Sequence, residues 1–375
     1  MGVRTEDLGG VIVHFGDCRE VMPTLSQVDS IVCDPPYHLT SIVKRFGKSD
    51  SAPAKSNGTT GVYGRASSGF MGQQWDGGDV AFDPETWRHC FNLLKPGGHL
   101  VAFSGTRTYH RMACAVEDAG FEIRDQLAWV YGSGFPKSHN LKGEHEGWGT
   151  GLKPSWEPIV LARKPLVGTV AQTVMQHGTG ALNIDGCRVA AVDGYGENAV
   201  TQGVNTARTS YEHRRERRTF EPSQSGRWPA NLIHDGSEEV VGMFPDVGLS
   251  SGGQSSKVGM HKFRGHEKPV NHDAPAPGFG DSGSAARFFY CAKADSDDRA
   301  GSRHPTVKPV DLMRWLVRLV TPKGGTVLDP FAGTGTTGQA ALMEGMKAIL
   351  IEREASYFVD IQNRMAKPIQ LGGLV

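Results

Sequence analysis

The stretch of sequence that decides the fold is Thr326-Val-Leu-Asp-Pro-Phe-Ala-Gly-Thr-Gly-Thr-Thr-Gly338. It runs from a short apolar segment into an acid and then into glycines spaced Gly-x-Gly-x-x-Gly, after which a helical pattern begins. Glycines in such a loop let the backbone approach a ligand closely. The next apolar segment ends at Glu352, where a carboxylate suits a ribose diol. The stretch therefore predicts a strand, a ligand-binding loop and a helix.

Outward from this stretch, short apolar runs alternate with helical patterns. We predict strands at 11–15, 28–33, 99–104, 121–131, 157–162, 326–329 and 347–352, and helices at 87–94, 109–119, 310–320, 337–346 and 356–365. Strands that alternate with helices indicate a mainly parallel sheet. The predicted fold class is therefore α/β, with the sheet built from both ends of the chain.

The middle of the chain breaks this rhythm. We divide the chain into a first half of the main domain at 1–165, with a loop insertion at 41–75, a separate region at 166–300, and a second half at 301–375. The region 166–300 is rich in Gly and Ser and contains basic runs. Loops of this length are usually either functional or disordered.

Composition limits the class of protein. The 375 residues carry 40 Lys and Arg against 40 Asp and Glu, which excludes a uniformly basic nucleic-acid-binding protein but not local basic patches. No apolar run approaches the roughly 18 residues of a membrane span, and the N-terminus has no signal-peptide core. The 6 cysteines and 14 histidines form no metal-binding spacing. We expect a cytoplasmic protein with reduced thiols and no metal.

A second stretch with chemical potential is Asp34-Pro35-Pro36-Tyr37, which directly follows a predicted strand. The prolines end the strand and stiffen the backbone. A carboxylate beside a fixed carbonyl forms a double acceptor that can hold an NH₂ group, and Tyr37 offers a ring on which a flat base stacks. A strand-ending turn with a solvated aspartate is the alternative reading.

The glycine loop by itself would suggest a dinucleotide enzyme. Two features argue against that reading. Only 23 residues follow Glu352, so we expect no second mononucleotide-binding half there. Asp329 at the turn would repel a pyrophosphate but suits the cationic amino-acid tail of S-adenosylmethionine. A nicotinamide-dependent oxidoreductase stays open as an alternative, to be separated by which cofactor binds.

Taken together, the two motifs resemble those of the amino-group DNA methyltransferases. Their order, with the tetrapeptide first and the glycine loop last, is similar to the β-class. His304-Pro-Thr-Val-Lys-Pro309 lies just before the glycine loop, as part of that order. Further stretches resemble phage and prophage members: Phe70-Met-Gly-Gln-Gln-Trp-Asp76, Lys153-Pro-Ser-Trp-Glu-Pro158 and Arg227-Trp-Pro-Ala-Asn231. The resemblance implies a Rossmann-like, circularly permuted methyltransferase sheet that uses S-adenosylmethionine, with the target recognition region inserted at 166–300.

The resemblance also implies roles for individual residues. The flipped base would be held by Asp34, Pro35, Pro36 and Tyr37. The cofactor would be bound by Asp17, Cys18, Asp34, Thr306, Lys308, Asp329, Pro330, Phe331, Ala332, Gly333, Thr334, Gly335, Thr336 and Glu352. Within that set, Asp17 and Cys18 would lie beside the cofactor adenine and Glu352 on its ribose. Thr306 and Lys308 belong to the segment that usually contacts its carboxylate. Asp17 as a simple loop cap and Lys308 as a solvated helix-start lysine are the alternatives.

The expected chemistry is direct transfer of a methyl group to an exocyclic amine of a flipped base. Enzymes that methylate cytosine carbon need a nucleophilic cysteine, usually after a proline, and no cysteine here follows a proline. Asp at position 34, rather than Ser, favours adenine N6 by family resemblance, and cytosine N4 stays open. A catalytically silent DNA-binding protein is a further alternative, which the intact motifs oppose.

The expected partner is double-stranded DNA. Basic residues in the two irregular stretches are predicted to contact its phosphates: Lys44, Arg45, Arg214, Arg215, Arg217, Arg218, Lys262 and Arg264. A solvated surface is the alternative role for these charges. The resemblance admits a homodimer and a place in a restriction-modification system, although the sequence contains no readable self-association motif or base code.

Overall fold

The computed structural model describes residues 4–37, 79–136, 138–190, 226–247, 282–293, 296–302 and 307–367. Its strands are β1 Arg4–Asp7, β2 Val11–Phe15, β3 Val28–Cys33, β4 Leu94–Phe103, β5 Glu122–Val130, β6 Trp156–Arg163, β7 Leu232–His234, β8 Asp246–Val247, β9 Gly283–Ser284, β10 Tyr290–Cys291, β11 Thr326–Asp329 and β12 Lys347–Glu352.

The helices lie between these strands. The α-helices are α1 Cys18–Val21, α2 Pro84–Leu93, α3 Tyr109–Asp118, α4 Val170–His177, α5 Glu238–Val241, α6 Val310–Val320, α7 Thr336–Met343 and α8 Ala355–Met365. Short 3₁₀ turns lie at Met22–Thr24, Val80–Phe82, Gly143–His145, Asp185–Cys187, Ala285–Phe288 and Ser296–Arg299. Within the described residues, the longest α-helices have 11 residues, and none is long and apolar enough to cross a bilayer.

Ten strands form one sheet in the order β1-β2-β12-β11-β3-β4-β6-β5-β7-β10, and β8 and β9 pair separately. The central strands β2, β12, β11, β3 and β4 are parallel neighbours. Antiparallel pairs join β1 to β2, β4 to β6 and β6 to β5. The prediction of a mixed α/β fold with a mostly parallel sheet is confirmed, whereas the circular permutation stays a prediction.

The pairing of β3 with β11 joins the two ends of the chain. Leu328 lies opposite Ile31 in register, so the carboxyl ends of both strands reach the same edge of the sheet. From β3 the chain continues to β4 on one side, and from β11 it continues to β12 on the other. Ligands of open α/β sheets bind at such a switch point.

Helices cover both faces of the sheet. In α6, Leu312, Trp315, Leu316 and Leu319 recur at the spacing of one helical face, and all four are buried. On the opposite face, α2 begins with Asp83, whose side chain accepts a hydrogen bond from the Glu85 amide and so satisfies an otherwise unpaired donor. The sheet is therefore packed between helices on both faces.

Most predicted elements match the structure within two or three residues. The strand predicted at 99–104 begins earlier, at Leu94, so β4 includes the Lys95-Pro-Gly-Gly98 segment that ends α2. The described parts of 166–300 place β7 and β10 at the edge of the main sheet. Sequence patterning missed these strands because they have only two or three residues. The division into domains and the role of 166–300 in target recognition stay predictions.

Candidate active site

A cavity of about 1150 Å³ lies where β3 and β11 end. It is lined by nearly all the described residues that the sequence singled out: Asp17, Cys18, Asp34, Pro35, Pro36, Tyr37, Lys308, Asp329, Pro330, Phe331, Ala332, Gly333, Thr334, Thr336 and Glu352. Gly335 lies in the same loop without lining the cavity. The structure therefore brings the tetrapeptide and the glycine loop together around one space.

The Asp-Pro-Pro-Tyr turn, residues 34–37, has one unsatisfied acceptor. Asp34 Oδ2 lies 2.7 Å from Lys308 Nζ. Asp34 Oδ1 is buried and has no hydrogen-bond partner among the described residues. An unpaired buried acceptor is costly, and because Asp34 itself lines the cavity, the residue is open to a donor supplied from outside the chain.

Lys308 connects the turn to β6. Its Nζ lies 3.0 Å from Glu157 Oε2 and donates to the Tyr37 hydroxyl at 3.1 Å. The Tyr37 hydroxyl in turn donates to Glu157 Oε2 at 3.0 Å. Thr108 Oγ1 donates to the Tyr37 backbone carbonyl at 3.0 Å, which fixes the end of the turn. These bonds fix Tyr37 at both its backbone and its hydroxyl.

Burial and the adjacent carboxylates together set the protonation states of Lys308 and Tyr37. Burial lowers the pKa of the Lys308 ammonium, but the adjacent Asp34 and Glu157 carboxylates outweigh it and raise that pKa above its ordinary value. Burial raises the pKa of Tyr37 well above its ordinary value, and the same two carboxylates raise it further. Lys308 therefore stays charged and Tyr37 stays neutral at physiological pH.

The glycine loop turns between β11 and α7. Gly335 caps α7 with φ +80°, a left-handed conformation that side-chain-bearing residues rarely adopt. A Cβ on Gly338 would come within 2.8 Å of Leu350 Cδ1, so this glycine allows α7 to pack closely on β12. The two glycines thus have different functions, one in the turn and one in helix–sheet packing.

Asp329 of the glycine loop and Glu352 at the end of β12 both accept hydrogen bonds from other groups of the chain. Asp329 accepts the Phe331 amide at 2.9 Å and the Thr337 hydroxyl at 2.5 Å. Glu352 accepts the amides of Gly333 and Glu354, each at 2.7 Å. Burial raises the pKa of Asp329 and of Glu352 to about 7, although these hydrogen bonds partly oppose the shift. Both acids therefore shape the loop, whatever else they bind.

Asp17 and Cys18 lie on the far wall of the cavity, at the start of α1. Asp17 caps this helix through the Arg19 amide and also pairs with the Arg19 guanidinium. Hydrogen bonding to Arg19 lowers the pKa of Asp17. Both the capping role and the position beside a ligand are thus compatible with the same side chain.

Cys33, which directly precedes the Asp-Pro-Pro-Tyr turn, lacks the surroundings of a reactive thiol. Cys33 is fully buried at the end of β3, and burial raises the pKa of its thiol well above its ordinary value. A catalytic thiol must form the thiolate readily. The Cys33 side chain therefore packs in the core at the strand end.

Sequence reasoning missed two residues around the site. Glu157 belongs to a stretch quoted for its resemblance, but its carboxylate was assigned no role. Arg364 of α8 is buried and donates to the Thr334 carbonyl at 2.8 Å and to the Asp298 carbonyl at 2.7 Å, which braces the glycine loop. No local motif marks Arg364, because its partners are distant in sequence.

Some predicted residues lie outside the described part of the chain. They are Thr306, Lys44, Arg45, Arg214, Arg215, Arg217, Arg218, Lys262 and Arg264, as well as the loop insertion at 41–75. Their predicted contacts with the cofactor and DNA stay predictions. Within the described residues, no cluster of three His, Cys, Asp or Glu side chains has the geometry of a metal site.

Curated relatives share parts of this sequence. The type II methyltransferase M.HindIII of Haemophilus influenzae is 23% identical over 320 residues, which span 81% of this chain and 70% of the relative. The DNA adenine methyltransferase YhdJ of Escherichia coli is 44% identical over 54 residues, which span 14% of this chain and only 18% of the relative.

A solved structure and a family model complete the comparison. The M1.HpyAVI–SAM complex covers 95% of this chain and 100% of its own, at 17% identity and a TM-score of 0.43, too low for any conclusion about this chain. The family model described as DNA methylase matches residues 28–363, from β3 through most of α8. The match includes both motifs and the strands that bring them together, and the chain belongs to the DNA methylase family.

Proposed function

We propose that the chain transfers a methyl group from S-adenosylmethionine to the exocyclic N6 of an adenine flipped out of duplex DNA. The observation that carries the proposal is that Asp34, whose buried Oδ1 has no partner among the described residues, lines the same cavity as the glycine loop. An amine N–H is the donor that would satisfy this atom. Family membership supports a DNA substrate.

In this proposal the Asp-Pro-Pro-Tyr turn at 34–37 is the catalytic turn, and it acts by accepting hydrogen bonds. Asp34 Oδ1 and the Pro35 carbonyl would receive the two hydrogens of the amine, while Tyr37 would stack on the base. These contacts strengthen as positive charge develops on the amine nitrogen, which is the condition for lowering a barrier rather than only binding substrate. Because Lys308 holds Asp34 through Oδ2, Oδ1 is the oxygen left for the substrate.

The cavity fits the cofactor together with a base. Its volume of about 1150 Å³ exceeds the roughly 300–1,000 Å³ of an ordinary ligand pocket. Glu352 would accept the ribose hydroxyls, since each carboxylate oxygen has two lone pairs and each receives one amide of the loop. The loop from Asp329 to Thr336 would line the methionine end, and Asp17 and Cys18 the adenine end. The residues present therefore fit S-adenosylmethionine.

When bound, S-adenosylmethionine supplies a methyl group on a sulfonium, which leaves as a neutral thioether. The amine nitrogen forms the N–C bond with its lone pair as the C–S bond breaks, and the methylated amine then loses one proton to water. No covalent bond between enzyme and base is needed, in agreement with the buried thiol of Cys33. The work of the chain is to orient the amine and to attract its developing charge.

Adenine is favoured over cytosine on two grounds. The turn carries Asp rather than Ser at position 34, which favours adenine by family resemblance. The relative YhdJ, matched over 54 residues, is named a DNA adenine methyltransferase. The family itself includes enzymes of both kinds, so the choice between the two amines belongs to this proposal.

DNA binding and assembly follow from the same proposal. Extruding a base costs a few kcal/mol of unstacking. The basic residues of 41–75 and 166–300 would offset this cost through phosphate contacts, so that affinity falls as salt rises. A homodimer and a partner nuclease rest on the family resemblance alone. Sedimentation tests the homodimer, and genomic context tests for the nuclease.

The experiment is to incubate the protein with unmethylated genomic DNA and isotope-labelled S-adenosylmethionine, then digest to nucleosides. Mass spectrometry is expected to find the label in N6-methyladenine. Label in N4-methylcytosine would correct the base while keeping the reaction class. An absence of label from every nucleoside, with cofactor binding intact, would favour a silent DNA-binding protein, and binding of a nicotinamide cofactor would overturn the proposal.

A further inference from the structure

The expected role of Lys308 in binding a cofactor carboxylate conflicts with its hydrogen-bond capacity. An ammonium has three N–H donors. Lys308 Nζ already has three acceptors within reach: Asp34 Oδ2 at 2.7 Å, Glu157 Oε2 at 3.0 Å and the Tyr37 hydroxyl at 3.1 Å. The side chain is 7% exposed and holds these contacts inside the site. Its donors are therefore committed to the chain itself.

A lysine beside Asp34 has an electrostatic disadvantage. The proposed reaction places positive charge on the amine, which a negative site attracts. An Asp34–Lys308 pair alone has no net charge and would give little attraction. Glu157, in contact with the same ammonium, restores a net charge of −1 to the group. In a buried site, where charges are poorly screened, a change of one unit in the net charge of the group has a large effect.

We propose that Glu157 is a positioning residue that acts through Lys308, giving the Asp34–Lys308–Glu157 group its net negative charge and leaving Asp34 Oδ1 for the amine. The inference rests on the proposed function and deepens it. Glu157 also accepts the Tyr37 hydroxyl, so one carboxylate fixes both the acid and the stacking ring of the turn.

The surroundings of Lys308 contain few other ionisable groups among the described residues. Asp34 and Tyr37 face it from the end of β3, Glu157 from β6, and Tyr131 from the end of β5. The Phe103 ring of β4 lies 4.8 Å from Nζ. Asp34 and Glu157 are thus the two carboxylates that keep Lys308 charged. Removing one of them leaves burial opposed by a single anion, and the pKa of Lys308 must fall.

The test compares Glu157→Gln with Glu144→Gln, a matched control at an exposed glutamate in the β5–β6 connection that precedes Glu157. Glu157→Gln keeps an amide oxygen as acceptor but removes the charge. We expect kcat to fall by ~10- to 100-fold, less than the loss from removing a direct contact to the reacting atoms. The cofactor Kd is expected to change less than about twofold. Glu144→Gln is expected to match the parent in both quantities.

The pH dependence separates this role from a merely structural one. In Glu157→Gln, the pKa of Lys308 is expected to fall by ~1 pH unit or more, and because its deprotonation returns the net charge of −1 to the group, the loss of kcat should become smaller as pH rises through that titration. NMR of the lysine Cε in ¹³C-labelled protein reports the same titration without cofactor or DNA. A loss of kcat by one constant factor at every pH, with the Lys308 titration unchanged, would overturn the inference.

A double variant covers the case in which single changes unfold the protein. Lys308→Met alone leaves two buried carboxylates together, whereas Lys308→Met with Glu157→Leu removes a buried pair and is expected to recover stability. This variant leaves Asp34 as the one charge of the group and so keeps the net charge of −1, and we expect its kcat to stay within ~10-fold of the parent. A loss of ~100-fold or more in this folded variant would overturn the inference. If the parent itself labels no DNA, the proposed function fails, while the NMR titration still decides whether Glu157 controls Lys308.

Discussion

The Asp-Pro-Pro-Tyr turn at 34–37 and the glycine loop at 329–338 each lie at the carboxyl end of a parallel strand and each begin with an aspartate, yet the two aspartates differ in their hydrogen bonding. Asp329 has a partner for each oxygen within its own loop. Asp34 has one oxygen held by Lys308 from a distant segment and one oxygen with no partner among the described residues. Without a ligand, both carboxylate oxygens of Asp329 are hydrogen-bonded, whereas one carboxylate oxygen of Asp34 is not.

This difference distinguishes a residue that builds a site from one that performs its chemistry. A buried acid with both oxygens satisfied contributes mainly to loop geometry and, through geometry, to ligand affinity. A buried acid with an unsatisfied oxygen has a cost in the free protein that only a bound donor removes. The comparison therefore predicts that turn variants lose turnover and loop variants lose affinity or stability.

The largest effect is expected for Asp34→Ala, which removes the unpartnered oxygen. Methyl transfer should fall by ~10³-fold or more, equivalent to ~4 kcal/mol, because the amine loses its charged acceptor. The cofactor Kd should stay near that of the parent, measured by calorimetry. Asp118→Ala, at an exposed helix end, serves as control. Unchanged turnover in Asp34→Ala would refute the assignment of the turn.

The next largest effect concerns pH and Asp329. Its pKa in the folded protein is about 7, against 3.8 ordinarily, so the folded state binds more protons than the unfolded state between these values. Stability should therefore fall as pH rises from about 5 to 7, by up to ~1.4 kcal/mol per pH unit. Asp329→Asn cannot titrate.

Thermal unfolding of the parent and Asp329→Asn across this range isolates that contribution, since Glu352 titrates in both proteins. The variant should gain stability relative to the parent as pH rises. A difference between the two proteins that does not vary with pH would show that the folded-state pKa of Asp329 is not raised.

A smaller effect is expected for Glu352→Gln. The amide can accept from only one of the two backbone amides that Glu352 now satisfies, and it has no charge. The cofactor Kd should rise by ~10-fold, close to the value of one hydrogen bond to a charged group. The methyl-transfer rate in single turnover at saturating cofactor should be retained. An unaltered Kd would count against the ribose role.

The smallest effect is expected for Gly338→Ala. Its Cβ would approach Leu350 Cδ1 to 2.8 Å and Val11 Cγ1 to 3.2 Å. Overpacking costs ~1–3 kcal/mol, and the better helix propensity of alanine returns ~1 kcal/mol. The net loss in urea unfolding should be on the order of 1 kcal/mol. A variant as stable as the parent would mean that α7 does not depend on this close contact.

Much of the fold could be predicted from sequence because its strands are long enough to carry a pattern. β2, β3, β11 and β12 have the predicted bounds, and Leu312, Trp315, Leu316 and Leu319 mark α6 by their spacing. The short strands β7 and β10 carry too few residues for any period. At the sheet edge β7 pairs with β5 and β10 pairs with β7, contacts that sequence alone does not show.

The site was predictable as two motifs but not as a network. The turn and the loop can be recognised in the sequence because the residues of each are consecutive. The partners of Lys308 come from β3 and β6, and those of Arg364 from the glycine loop and from Asp298. Only the folded arrangement shows that Lys308 has no donor left and that Asp34 has an acceptor left.

The most direct test of the central claim is a crystal structure with S-adenosylhomocysteine and a duplex carrying the mapped target site. The account predicts the N6 of the extruded adenine within about 3.2 Å of Asp34 Oδ1, with Lys308 still on Oδ2. An extruded base whose amine contacts other groups, with Asp34 Oδ1 still unpaired, would contradict it.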